Sequence, residues 1–285
     1  MKLARYGAAG RERPTVLDGA GRLRDLSGLV ADVDGASLSD GLIERLKGVD
    51  LSTLPLVDEG ERLGPCVGRV GKIVAVGLNY AEHAREGGRD IPQEPLLFMK
   101  ATSSISGPDD PIVLPRGSEK TDWEVELAVV IGRTARYVEE DAALGHVAGY
   151  ALFNDLSERD HQLNRGGQWT KGKGHDSFGP LGPWLVTADE LGDPGDIDLW
   201  LEVDGERHQA ANTSDMIFCV ARLVSYISTY MTLDPGDVII TGTPSGVGNG
   251  IRPEPKFLRA GQTVRLGGTR LGIQTHTVVA EGGVA

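Results

Sequence analysis

From residue 73 onward, short apolar runs alternate with glycine-, proline- or acid-bounded breaks. The runs cover 73–77, 97–99, 125–131, 147–153, 183–187, 199–203, 238–242, 263–266 and 274–279. Runs this short, rich in β-branched residues and punctuated by turn formers, predict strands. Two stretches carry helical spacing instead. One starts at Tyr80, with Asn79 placed to cap it, Glu82 to close a capping box, and Gly87 and Gly88 to end it. The other spans 215–231, where Ile217, Ala221, Val224, Tyr226 and Ile227 form an apolar stripe. The first 65 or so residues are more polar. They predict strands at 2–6 and 15–17, a hairpin tip at 19–21 and a short helix at 39–47 capped by Ser39 or Asp40. Pro55, Gly60, Gly64 and Pro65 then break any regular element. The pattern predicts a chain that is mainly β with a few helices, an α+β class, divided near Gly68 into a small N-terminal part, 1–68, and a larger part, 69–285.

Composition changes this picture little. The 40 glycines and 15 prolines are scattered without a period, which fits many short strands. A formal charge of -12 with no block of lysine and arginine argues against a nucleic-acid partner. No apolar leader segment and no run approaching the ~20 apolar residues of a membrane span is present, so a cytoplasmic, membrane-free protein is expected. Cys66 and Cys219 are far apart and form no Cys-x-x-Cys motif, which indicates neither a disulfide framework nor a zinc ribbon.

The candidate chemistry begins in the run 121–132. Glu124 and Glu126, two apart in a strand, share one face, while Trp123, Val125, Leu127 and Val129 take the other and read as core. Burying two adjacent carboxylates is costly. A proton on one, neutralising lysines and arginines, or a divalent metal would each relieve it. Asp155, at the end of the apolar run 147–153, would complete a three-carboxylate oxygen set suited to Mg2+ or Mn2+ rather than zinc, with Ca2+ meeting the same demand. Asn154, Glu158 and Asp160 are alternatives nearby. His83 and Glu86 stand at i and i+3 on the short helix, where the carboxylate can orient the imidazole as a general base; the same spacing also describes an ordinary surface pair. Lys173, in a glycine-dense loop, could balance the excess anion or meet a substrate oxyanion. The run Thr241-Gly-Thr-Pro-Ser-Gly-Val-Gly248 lacks the Gly-Lys-Ser/Thr ending of a phosphate loop, yet Thr243 and the loop's N–H groups can face a carboxylate. No Gly-x-Ser-x-Gly or His-Glu-x-x-His occurs, which removes the common serine and zinc hydrolases.

Taken in order, these residues resemble the fumarylacetoacetate hydrolase family. The resemblance is carried by Gly77-Leu-Asn-Tyr-Ala-Glu-His83-x-x-Glu86, Phe98-Met-Lys100, Asp122-Trp-Glu124-Val-Glu126-Leu, Asn154-Asp155-x-x-x-Arg159-Asp160-x-Gln162, Lys173 and Thr241-Gly-Thr-Pro-x-Gly-Val-Gly248. It implies a mixed β-roll catalytic domain, usually a homodimer, with Mg2+ or Mn2+ held by Glu124, Glu126 and Asp155. It also implies His83 and Glu86 as an acid–base dyad, and Lys173, Gln162 and Thr243 around the substrate. The N-terminal part is similar to the small β-rich domain of the bacterial acylpyruvase-like branch. The expected activity is metal-dependent hydrolysis of the C–C bond of an acylpyruvate or other 2,4-diketo acid. Isomerisation of a hydroxymuconate or hydroxyheptadienedioate type of substrate and oxaloacetate decarboxylation draw on the same enolate chemistry, and a metal-stabilised binding protein is the non-enzymatic alternative. Arg85, Arg89, Lys100 and Arg159 are candidate partners for a second substrate carboxylate.

Overall fold

A computed structural model describes residues 1–282. Its centre is a mixed sheet whose strands run, from one edge to the other, Leu23–Asp25, Arg13–Leu17, Lys2–Tyr6, Gly179–Thr187, Val147–Asn154, Val125–Ile131, Val238–Ile240, Ile73–Gly77 and Leu96–Lys100, with Ile105–Ser106 pairing alongside Gly179–Thr187. Val125–Ile131 lies near the middle and is buried along its whole length. A five-stranded sheet, ordered Glu206–Asn212, Asp198–Val203, Thr263–Gly268, Gly272–Ala280 and Ile112–Leu114, forms the second layer.

The central strand shows how the two faces are used. Val125, Leu127, Val129 and Ile131 point into a core shared with Leu199, Leu201, Val264 and Leu266 of the second sheet and with Leu223, Val224 and Ile227 of the helix Val220–Tyr230. Ala128 and Val130, of opposite parity, point into a core shared with Leu3, Val16, Leu26 and Leu42. Burial of each such Val or Leu is worth about 1.5–3 kcal/mol. Lys2–Tyr6 pairs antiparallel with Gly179–Thr187, so the N-terminal strands extend the central sheet and the second core runs across residue 68. The change of texture near Gly68 therefore falls within a continuous sheet.

Several expected elements differ in detail. The helix expected at 39–47 is two short ones, Gly35–Ser39 capped by Asp34, and Leu42–Lys47, separated by Gly41 at a φ of 72°. The helix after Tyr80 runs Ala81–Glu86 with no side-chain cap. Asn79 does not form the expected capping box, because its amide donates to the carbonyls of Phe218 and Thr241 and accepts from the Phe218 N–H. Those bonds also hold the residues before Val220 out of the later helix. Among the described residues, no helix is long and apolar enough to cross a membrane.

Candidate metal and catalytic site

Strand parity puts Glu124 and Glu126 on the face of Ala128 and Val130, where Phe153 stands directly opposite Glu126. Asp155 follows Phe153 by two and its N–H donates to the Glu124 carbonyl at 2.9 Å, so its side chain returns to the same face. The three carboxylates are buried, and one oxygen from each lies within 4.8 Å of the others. On the other flank, the Gly242 N–H donates to Glu126 Oε2 at 2.7 Å. Gly242 has a φ of +94°, and a Cβ there would stand 2.8 Å from Asn79 Cβ and 2.9 Å from the Val76 carbonyl, so only glycine brings that N–H to Glu126.

Three buried cations surround the triad. Lys173 Nζ reaches Glu124 Oε2 at 2.6 Å and Asp155 Oδ2 at 2.5 Å. Arg159 pairs with Glu124 Oε1 at 2.7 Å and Asp122 Oδ2 at 2.8 Å. Lys100 Nζ sits 2.8 Å from Asp155 Oδ1 and donates to the carbonyls of Leu156 and Lys173. Its approach to Asp155 is off the hydrogen-bonding direction, and Asp155 Oδ1 is left buried without a hydrogen bond. Counting Asp122, four buried carboxylates face three buried cations, which leaves one excess negative charge. The titration follows that imbalance. Burial opposes ionisation of Glu124, but Lys173 and Arg159 outweigh it and hold the carboxyl at about 2. Burial, reinforced by Asp155 and Glu124, pushes Glu126 well above the usual carboxylate range. An all-oxygen set with an unsatisfied buried oxygen and a carboxyl driven to keep its proton is the donor chemistry of a hard divalent ion, so the residues fit Mg2+ or Mn2+.

The dyad faces the same cavity, of about 360 Å3, which the triad, Arg159, Gln162, Lys173 and Thr243 also line. His83 Nδ1 lies 3.2 Å from Glu86 Oε2, and the Gly246 N–H donates to Glu86 Oε1 at 3.0 Å. In the neutral tautomer that donates Nδ1–H to this carboxylate, Nε2 is the acceptor nitrogen. Gly250 packs against this pair; a Cβ there would fall 2.2 Å from the Glu86 carboxyl carbon. Gln162 accepts from Arg159 at 2.9 Å, and the Thr243 hydroxyl donates to the Val125 carbonyl at 2.9 Å while Gln209 donates to it at 2.8 Å. Lys100 lies beneath the carboxylates rather than along the cavity wall.

Sequence reading missed Asp122 as an organiser. It accepts from the N–H groups of Trp123, Gly248 and Asn249 at 2.8, 2.7 and 2.9 Å, tying the loop 243–250 to Arg159. Its place in the Asp122-Trp-Glu124 motif was the available signal. Two short helices were also missed, Arg159–Leu163 and Thr170–Lys173, which carry Arg159, Gln162 and Lys173. Gly250 and Arg252, on the cavity wall, were omitted as well.

Comparison with known proteins supplies the evolutionary frame. Residues 72–279 match the family model described as the fumarylacetoacetate (FAA) hydrolase C-terminal domain. A protein of Burkholderia ambifaria, provisionally named a hydrolase, is 61% identical over 277 residues, covering 97% of this chain and 98% of its own. Maleylpyruvate hydrolase from Sphingobium sp. SYK-6, solved with manganese(II) and pyruvate, is 31% identical with a TM-score of 0.81, over 98% of this chain and 99% of that one. The 5-carboxymethyl-2-hydroxymuconate delta-isomerase of Mycobacterium smegmatis is 34% identical with a TM-score of 0.76, over 98% of this chain and 99% of that one.

Proposed function

Because this chain belongs to the fumarylacetoacetate hydrolase family, we propose that it hydrolyses the C3–C4 bond of an acylpyruvate or related 2,4-diketo acid. Mg2+ or Mn2+ would be held by Glu124, Glu126 and Asp155. The observation that carries this reading is the convergence on one cavity of the carboxylate triad and a histidine with a carboxylate-held Nδ1. A divalent ion held by these three carboxylates would supply Lewis-acid polarisation of the substrate's pyruvoyl end.

The protein's own groups do the rest. His83 Nε2 takes a proton from water, and Glu86 stabilises the imidazolium that forms. The resulting hydroxide adds to the C4 carbonyl. Collapse of that adduct breaks the C3–C4 bond, leaving its electron pair on C3 as the enolate of pyruvate and C4 as a carboxylic acid. Lys173 and Arg159 set positive charge beside the developing anion, and the proton held on His83 completes pyruvate at C3.

A second reading is favoured by the likeness to the M. smegmatis isomerase. The same base would shuttle a proton along a conjugated dienol, with no bond to water formed. Loss of the enol absorbance of acetylpyruvate, with Mn2+ and with a chelated control, tests the choice. Metal-dependent formation of pyruvate and acetate supports hydrolysis. Silence there with turnover of oxaloacetate makes the protein a decarboxylase, and silence on both with rearrangement of a 2-hydroxydienoate makes it an isomerase.

A further inference from the structure

The inner cations of the cavity are committed. Lys100, Lys173 and Arg159 each stand within 2.8 Å of a buried carboxylate, so none is free to receive a second negative charge from a substrate. The outer wall differs. Arg89 and Arg252 line the same cavity, are exposed, and have no acidic partner within ion-pair distance among the described residues. The Arg252 guanidinium is nevertheless tethered to its own loop. One of its nitrogens, Nη1, donates at 3.1 Å to each of the carbonyls of Asn249, Gly250 and Ile251, which leaves Nε and Nη2 without protein acceptors. That loop is the one pinned by Asp122 and Glu86, so the guanidinium is held in register with the dyad. The same cavity is also lined by the apolar side chains of Leu78, Leu96, Phe98, Trp169 and Val247. Phe98 and Trp169 pack edge to face with centroids 5.2 Å apart. The volume, about 360 Å3, is near the small end of the ligand-pocket range.

We infer that Arg252, assisted by Arg89, selects a substrate carrying a second carboxylate at the end opposite the pyruvoyl group, joined to it by a short apolar segment. This rests on the diketo-acid reading and narrows it to dicarboxylates. In a chain of net charge -12, two unpaired arginines at a cavity mouth attract an anion that the rest of the surface repels. Arginine also matches a carboxylate with paired N–H groups, and the two open nitrogens of Arg252 form such a pair.

The test compares two ligands that differ only in the terminal group. 2-Oxoheptanedioate and 2-oxoheptanoate are titrated into the Mn2+-loaded protein by calorimetry, with wild type, Arg252→Gln, Arg252→Lys and Arg89→Gln. In parallel, 2,4-dioxoheptanedioate and its C7 methyl ester are compared as substrates. Charge-assisted hydrogen bonds of this kind predict a roughly 10- to 100-fold preference for the diacid. The ratio should collapse toward one in Arg252→Gln, fall less in Arg89→Gln, and be partly kept in Arg252→Lys. Equal binding of the two acids by wild type would overturn the inference, and so would a preference that survives both glutamine variants. An arginine-dependent preference without cleavage of either dioxo acid would uphold the subsite and refute the hydrolytic reading instead.

Discussion

Lys173→Met removes a cation from a balance that is already one positive charge short. In the metal-free protein, Lys173 Nζ is buried and holds Glu124 at 2.6 Å and Asp155 at 2.5 Å. Its removal leaves four carboxylates facing two cations, Lys100 and Arg159, an excess of two. Removing one partner of a buried ion pair costs about 3–5 kcal/mol. Uptake of a further proton by the carboxylates recovers part of this, so the metal-free variant is expected to melt of order 10 °C below wild type. A dication at the triad supplies the missing positive charge. Mn2+ should therefore stabilise the variant more than it stabilises wild type, closing most of the gap, while kcat stays low because the group beside the developing enolate is gone. Differential scanning fluorimetry with and without Mn2+, together with steady-state kinetics, reads both effects. Equal Mn2+ stabilisation of the two proteins, or wild-type kcat in the variant, would refute the charge argument.

Two further outcomes follow from the geometry. Burial and its carboxylate neighbours raise the Glu126 pKa well above the usual range, so at pH values below that raised pKa a metal must displace its proton. Metal affinity should thus rise about tenfold per pH unit up to that pKa and level off beyond it, with proton release approaching one per ion below the pKa and fading above it; calorimetry across pH in buffers of different ionisation enthalpy counts the proton, and an affinity and proton release that do not change with pH contradict the assignment. Gly250→Ala places a methyl group 2.2 Å from the Glu86 carboxyl carbon and must displace that carboxylate from His83. A loss of roughly 10- to 100-fold in kcat with unchanged Mn2+ affinity is expected, and parallel losses in both would show that the loop supports the triad rather than the dyad.

What the sequence reveals depends on how local the determinant is. Glu124 and Glu126 are legible because a strand's two-residue period fixes their shared face whatever surrounds them, and Asp155 because it extends a strand in register beside them. The cations are harder to place. Lys173 lies on a four-residue helix and Arg159 on a five-residue one, too short for an apolar period to announce. Asn79 is a good helix cap by residue type, but its amide is drawn instead into bonds with Phe218 and Thr241, residues 139 and 162 positions away. The polar strand Glu206–Asn212 escaped notice because it is an edge strand paired only with Asp198–Val203, so nothing requires it to be apolar. Arg252 sits in a loop whose course is set by contacts to Asp122 and Glu86, which no local pattern encodes.

The central claim is that His83 activates water to split a carbon–carbon bond. Turnover of acetylpyruvate by the Mn2+-loaded protein in 18O-labelled water, followed by mass spectrometry of the acetate, tests it most directly. One 18O in the acetate carboxylate, formed by wild type and absent with His83→Ala while Mn2+ affinity is retained, is the predicted result. Acetate formed without label, or labelled acetate formed at the wild-type rate by His83→Ala, would contradict it.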